Sequence, residues 1–209
     1  MRPISFTRSQ PTANIASIVT AQSLSVSGAI TLDGALVSNG VATLTVPAVL
    51  IAYSQASSTI NFVVTGTGPA GQSQVETLAV TASGNLTGSL AFATVTQITS
   101  SAAAPSTISI GNGVPGYTAW IPLDIYTPNQ VTNISAKKSG TVNYSVEYTN
   151  EDPFNTSIQQ LAVPHPNASL TNSTSDETQF TTTLMRAVRL KINSGDGSVR
   201  FTIVQQSTK

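Results

Sequence analysis

The chain holds one histidine, His165, between Pro164 and Pro166. A serine hydrolase would need it as the general base, beside a nucleophile on a sharp Gly-X-Ser-X-Gly turn. The sequence has no such turn, and proline on both sides suits a rigid, extended loop. His165 therefore reads as a structural contact or a solvent-facing residue. Carboxylates gather at Glu147, Glu151 and Asp152. A glycosidase would set two of them across a cleft lined with aromatic side chains. These acids instead close one alternating segment and run into Asp152-Pro153-Phe154, where Asp before Pro opens a turn. They read as solvated or ion-paired acids at a strand end. Asp196, inside Gly195-Asp196-Gly197, reads as turn chemistry, because the alternating oxygen ligands of a calcium loop are missing. With no Cys, disulfides, zinc–thiolate sites and thiol nucleophiles are excluded. No phosphate-cradling Gly-Lys-Ser/Thr and no dinucleotide fingerprint occurs. This inventory points away from an enzyme, and no catalytic residue, metal or cofactor is expected.

The distribution of charge says more. Charged residues make up 9% of the chain, against roughly 25% in ordinary soluble domains. Between Arg8 and Lys137 there is no Lys, Arg or His, and only Asp33, Glu76 and Asp124 are charged. The other cations lie toward the ends: Lys137, Lys138, Arg186, Arg189, Lys191, Arg200 and Lys209. The formal net charge is zero, so nothing overall favours nucleic acid or an acidic membrane surface. The start, Met1 to Arg8, lacks the apolar run of a secretory signal, and the longest apolar stretch, Val46 to Tyr53, is too short to span a bilayer. Synthesis in a cytoplasm without export through a cleaved leader is the expectation, with no membrane partner.

The elements that must position these groups are strands. In Thr141–Thr149, Val142, Tyr144, Val146 and Tyr148 share one parity and Thr141, Asn143, Ser145 and Glu147 the other, giving one buried and one wet face. The same period recurs at Leu24, Val26, Ile30 and Leu32, at Ile60, Phe62 and Val64, and at Leu90, Phe92 and Ile98. Val188, Leu190 and Ile192, then Val199, Phe201 and Ile203, alternate with Arg189, Lys191 and Arg200 across Ser194-Gly195-Asp196-Gly197, which predicts a hairpin. No stretch sustains a helical period, and Ser and Thr make up more than a quarter of the chain. The fold class expected is all-β: two antiparallel β-sandwich or jelly-roll-like modules with an N-terminal arm. Residues 1–20 are the arm, 21–112 a charge-poor sandwich and 117–206 a C-terminal sandwich, divided at Gly111-Asn112-Gly113-Val114-Pro115-Gly116. Residues 155–178 read as a long loop, and Trp120 as a core anchor.

Trp120-Ile121-Pro122-Leu123-Asp124, Tyr144 to Phe154, Arg186-Ala187-Val188-Arg189-Leu190 and Gly195-Asp196-Gly197-Ser198-Val199, closing on Gln205, form a set of short motifs. As a set they resemble small virion structural proteins of tailed bacteriophages that share a β-sandwich. The resemblance covers residues 117–206 and implies assembly into a particle rather than catalysis. The function expected from it is a non-enzymatic component of the virion, made in the host cytoplasm, that decorates or cements the capsid or forms a head fibre. A tail, baseplate or collar protein of the same kind of particle is the alternative. A carbohydrate-binding adhesin is the reading from another class, and would need an exposed aromatic strip. Expected partners are the major capsid protein or other virion proteins and copies of the chain itself, a trimer being favoured, without nucleic acid. The cation-free part suits contact with other subunits. Candidate partner-docking residues are Arg2, Arg8, Arg189, Lys191 and Arg200, the last three on one face of the C-terminal hairpin. The plainer reading of that face is a wet strand surface with Glu147 opposite.

Overall fold

A computed structural model describes residues 3–57, 59–126 and 131–205. The protein is all-β and antiparallel, with β-sandwich character, and its described residues form sixteen strands. They divide into two compact units, one running from Pro11 to Gly116 and the other joining the segment up to Gln10 with the chain from Tyr117 onward. Residues 4–9 are thus not an arm. Strand β1 (Ile4–Ser9) runs antiparallel to the last strand of the chain. The reason is its own alternation: Ile4 and Phe6 share a parity and pack on the C-terminal core, the Phe6 ring lying 5.7 Å edge-on from Phe201. The C-terminal sandwich expected at 117–206 is therefore completed by residues from the other end of the sequence.

The unit from Pro11 to Gly116 contains β2 (Asn14–Leu24), β3 (Gly28–Ala29), β4 (Val37–Ser38), β5 (Val41–Ser54), β6 (Ile60–Thr67), β7 (Ser73–Val80), β8 (Gly84–Ser100) and β9 (Ala104–Tyr117). Hydrogen bonds set the order β2, β9, β5, β8, β6, β7, with β4 on β5 and β3 on β8. Phe62, Phe92, Ile98, Ile108 and Ile110 are fully buried at its centre, so the alternation at 60–64 and at Phe92 and Ile98 faces the core as expected. The alternation expected at 24–32 breaks instead, because the chain bends after β2 and leaves Val26 71% exposed.

The long strands β5 and β8 turn at bulges, where the ladder loses partners. Val49 pairs with Ala91 and Ile51 with Thr87, so Gly88, Ser89 and Leu90 stand opposite Leu50 alone. Glu76 of β7 takes up the freed donors. Its Oε1 accepts from the Ser89 amide at 2.6 Å, the Ser89 hydroxyl at 2.9 Å and the Leu90 amide at 3.2 Å. Gln74 donates to the Ala91 carbonyl at 2.9 Å. Gly88 leaves room for this, since a Cβ there would lie 2.7 Å from Glu76 Oε2. The second carboxylate of the unit, Asp33, accepts from the Thr20 amide at 2.8 Å and its hydroxyl at 2.6 Å, which holds its pKa below the usual aspartate value.

The other unit contains β1, β10 (Ile121–Pro122), β11 (Thr132–Ser139), β12 (Val142–Thr149), β13 (Val163–Pro164), a single 3-10 turn at Ala168–Leu170, β14 (Glu177–Thr181), β15 (Ala187–Gly195) and β16 (Ser198–Gln205). One sheet has the order β1-β16-β11-β14, and β13, β12, β15 and β10 pair in the second. Ile134, Phe201 and Ile203 from the first and Tyr144, Val146 and Leu190 from the second meet in one core. Each such side chain contributes about 1.5–3 kcal/mol by leaving water.

The expected hairpin at 188–203 is not one. Strand β15 pairs with β12 and β10, while β16 pairs with β1 and β11. Residues 194–197 carry the chain from one sheet to the other. Thr141 explains this: its carbonyl oxygen accepts from the Asp196 amide at 3.0 Å and the Gly197 amide at 2.8 Å, clamping this crossing to the neighbouring one between β11 and β12. Gly195 has φ +106°, and a Cβ at Gly195 would run into the same Thr141 oxygen. A period-two pattern on both sides of a glycine turn is shared by hairpins and by crossings, so local sequence does not separate them.

Replacing Glu76 with Ala removes the acceptor of the part-buried Ser89 and Leu90 amide hydrogen bonds, and unfolding in urea is expected to show a loss of about 1–3 kcal/mol. A change within about 0.5 kcal/mol, ordinary for surface substitutions, would remove Glu76 from this role.

Candidate functional site

The five residues expected to dock a partner do not form one surface. Arg2 lies outside the described residues. Arg189 and Lys191 sit on β15, Arg200 on β16 and Arg8 on β1, and the two sheets split them into two groups.

The first group is internally neutralised. Arg189 is the register partner of Glu147 on β12, with Nε 2.7 Å and a terminal nitrogen 2.6 Å from Glu147 Oε2. Lys191 Nζ lies 3.7 Å from the other oxygen. The guanidinium also faces the rings of Tyr117 and Trp120, at 4.6 and 4.5 Å from their centroids. Charge-assisted hydrogen bonds and two aromatic faces use up its bonding capacity, and only 13% of each of the Arg189 and Glu147 side chains is exposed. Burial, and then the Glu147 carboxylate, push the Tyr117 phenol above its usual pKa. Glu147 does stand opposite the Arg189 face, and Trp120 is an anchor for it.

The second group is open. On β16, Arg200 is flanked by Thr7 of β1 and Lys137 of β11, and in the next row Val199 is flanked by Arg8 and Lys138. Arg8, Lys137, Lys138 and Arg200 are all exposed, and among the described residues none makes an ion pair. Asp176 accepts from the Lys138 backbone amide at 2.9 Å. Lys138 Nζ donates to the Gly140 carbonyl at 3.2 Å, and Arg8 lies 5.8 Å above the Phe6 ring. Lys137 and Lys138 escape a reading of the sequence because only strand pairing brings β11 and β1 to either side of β16.

The acids near Phe154 separate as well. Besides Glu147, Asp152 pairs with Arg186 at 3.2 Å, and Glu151 accepts from the Leu161 amide at 2.6 Å. His165 is 3% exposed. Its amide donates to the Val146 carbonyl, and Nδ1 accepts from the Asn167 amide at 3.1 Å, which assigns the ring proton to the buried Nε2. Burial holds its pKa below 6.5. Tyr144 is buried, its hydroxyl donating to the Ser175 carbonyl at 2.9 Å, and Tyr148 is half-buried. Among the described residues no group of three His, Cys, Asp or Glu could hold a metal ion, and no helix is long and apolar enough to cross a membrane.

No family model, curated protein or solved structure matches the chain.

Two outcomes test this geometry. Glu147→Leu leaves Arg189 without its carboxylate and is expected to cost about 3 kcal/mol, whereas Glu147→Leu with Arg189→Met restores most of the loss, because the desolvated charge is gone. Equal losses in a double-mutant cycle would contradict the coupling. For His165, a folded pKa below the unfolded 6.5 means that the unfolded chain binds the proton more readily. Its stabilising effect is complete above about pH 6.5 and falls away as pH drops from there through the folded value. The urea midpoint should therefore fall between about pH 7.5 and 5, and His165→Asn should make that fall smaller.

Proposed function

We propose that this protein is a non-enzymatic structural component of a bacteriophage virion, decorating or cementing the capsid through protein–protein contacts. The observation that carries the reading is the chemistry of the unit from Pro11 to Gly116. Its sequence has no Lys, Arg or His, and both of its carboxylates, Asp33 and Glu76, serve as internal hydrogen-bond acceptors for its own strands. What remains for contact is main chain, hydroxyls, neutral amides and apolar groups, which suit extended interfaces between subunits better than acid–base chemistry.

Exposed apolar side chains support the same reading. In the other unit Phe154, Leu161, Phe180 and Leu184 are each 65–73% exposed. Covering them would remove apolar area from water, which favours association. The resemblance of residues 117–206 to phage virion proteins agrees with assembly, and symmetric self-association would cover further apolar surface.

The test follows the chain in purified particles. Quantitative mass spectrometry is expected to find it at a copy number in fixed ratio to the major capsid protein, with immunogold label on heads. Label on tails would move the protein to a tail, baseplate or collar position. Recovery only in the soluble fraction of the lysate, or strong saturable binding on a glycan array, would overturn the virion reading.

A further inference from the structure

We infer that the basic end of the β1-β16-β11-β14 sheet is a docking site for an acidic, extended segment of another protein, which adds to the open edge of β1 as a further strand. The inference rests on the assembly reading only for the partner's being a protein.

Three observations converge. First, β1 is the edge of its sheet, paired with β16 alone, and Ser5, Thr7, Arg8 and Ser9 are exposed along it. An edge strand carries a row of unpaired amides and carbonyls that a second strand can complete. Second, the cations lie in the two rows that an added strand would continue, Arg8 and Lys138 beside Val199 on the parity of one face and Arg200 and Lys137 beside Thr7 on the other, with Arg8 on the edge strand itself. A residue of the added strand opposite Arg8 would be its direct cross-strand neighbour, the position where opposite charges attract and like charges repel. Third, these four cations have no ion-pair partner among the described residues, in contrast to Arg186, Arg189 and Lys191.

The charge pattern also selects the occupant. A second copy of this chain is a poor source of acid, because every carboxylate except Asp196 already accepts an internal hydrogen bond or pairs with a cation. Nucleic acid is disfavoured by the lack of a stacking platform among the described residues: the ring under Arg8, Phe6, is half-buried against Phe201. An acidic strand from a different protein satisfies both the edge and the charge.

The experiment titrates the full chain with a short peptide carrying Glu at consecutive positions between Thr residues, so that acid reaches both faces, the same peptide with Gln for Glu, and a single-stranded oligonucleotide, followed by calorimetry and by amide exchange at β1. The Glu peptide should bind in a salt-dependent manner, slow exchange in β1, and weaken about tenfold or more in Arg8→Glu with Arg200→Glu. Arg8→Gln with Arg200→Gln, milder at exposed positions, should weaken it less, and Lys191→Gln should leave it unchanged. No peptide binding, binding indifferent to Arg8 and Arg200, or binding without protection of β1 would overturn the inference. Tighter binding of the oligonucleotide would overturn it in favour of nucleic acid. A chain that enters particles but ignores the peptide removes this inference alone, whereas one that binds the peptide but stays out of particles removes only the virion reading.

Discussion

One carbonyl organises the C-terminal unit. Thr141 O accepts the amides of both Asp196 and Gly197 and so binds together the two points where the chain passes from one sheet to the other. Two amides of one crossing on a single acceptor of the other tie them together, so the two crossings form as a pair. Gly195 and Gly197 are required because a Cβ at either would strike the neighbouring crossing. From this clamp follow the separation of β15 from β16 and the two-sheet core around Tyr144, Leu190 and Phe201.

The same separation decides what the charges do. Arg189 and Lys191 fall beside β12, where Glu147 neutralises them and Tyr117 and Trp120 enclose the guanidinium. Arg200 falls between Thr7 of β1 and Lys137 of β11, with Arg8 and Lys138 in the next row, and among the described residues it makes no ion pair. One alternating stretch of sequence thus supplies a structural ion pair on one sheet and an open cationic surface on the other. In the unit from Pro11 to Gly116 the scarce acids are used differently again: Glu76 takes up amides freed at the β8 bulge, and Asp33 ties down β2.

Much of the fold was legible in advance. Val142, Tyr144 and Val146, and later Val188, Leu190, Ile192, Val199, Phe201 and Ile203, are buried on the parity that the sequence assigns them. The acidic group at Glu147, Glu151 and Asp152 resolves into ion pairs and a loop contact, in keeping with its place at a strand end. The arm and the hairpin were misread for one reason. The segment at Ile4–Ser9 and the turn at 194–197 have locally ordinary patterns, and their partners lie far away along the chain. The candidate site suffered most, since Lys137 and Lys138 join Arg8 and Arg200 only through the ladder of β16 with its two neighbours.

By itself the sequence determined that the chain is built of strands, which side of most strands faces inward, and that residues 9–136 carry no basic group. Those properties follow from side-chain period and composition, and both are local. Which strand lies beside which was left to the tertiary structure, because pairing depends on hydrogen bonds between distant segments and on the few places, such as Thr141 and Gly195, where only one crossing fits. Whether a cation is quenched or open is a property of that pairing rather than of its position in the chain.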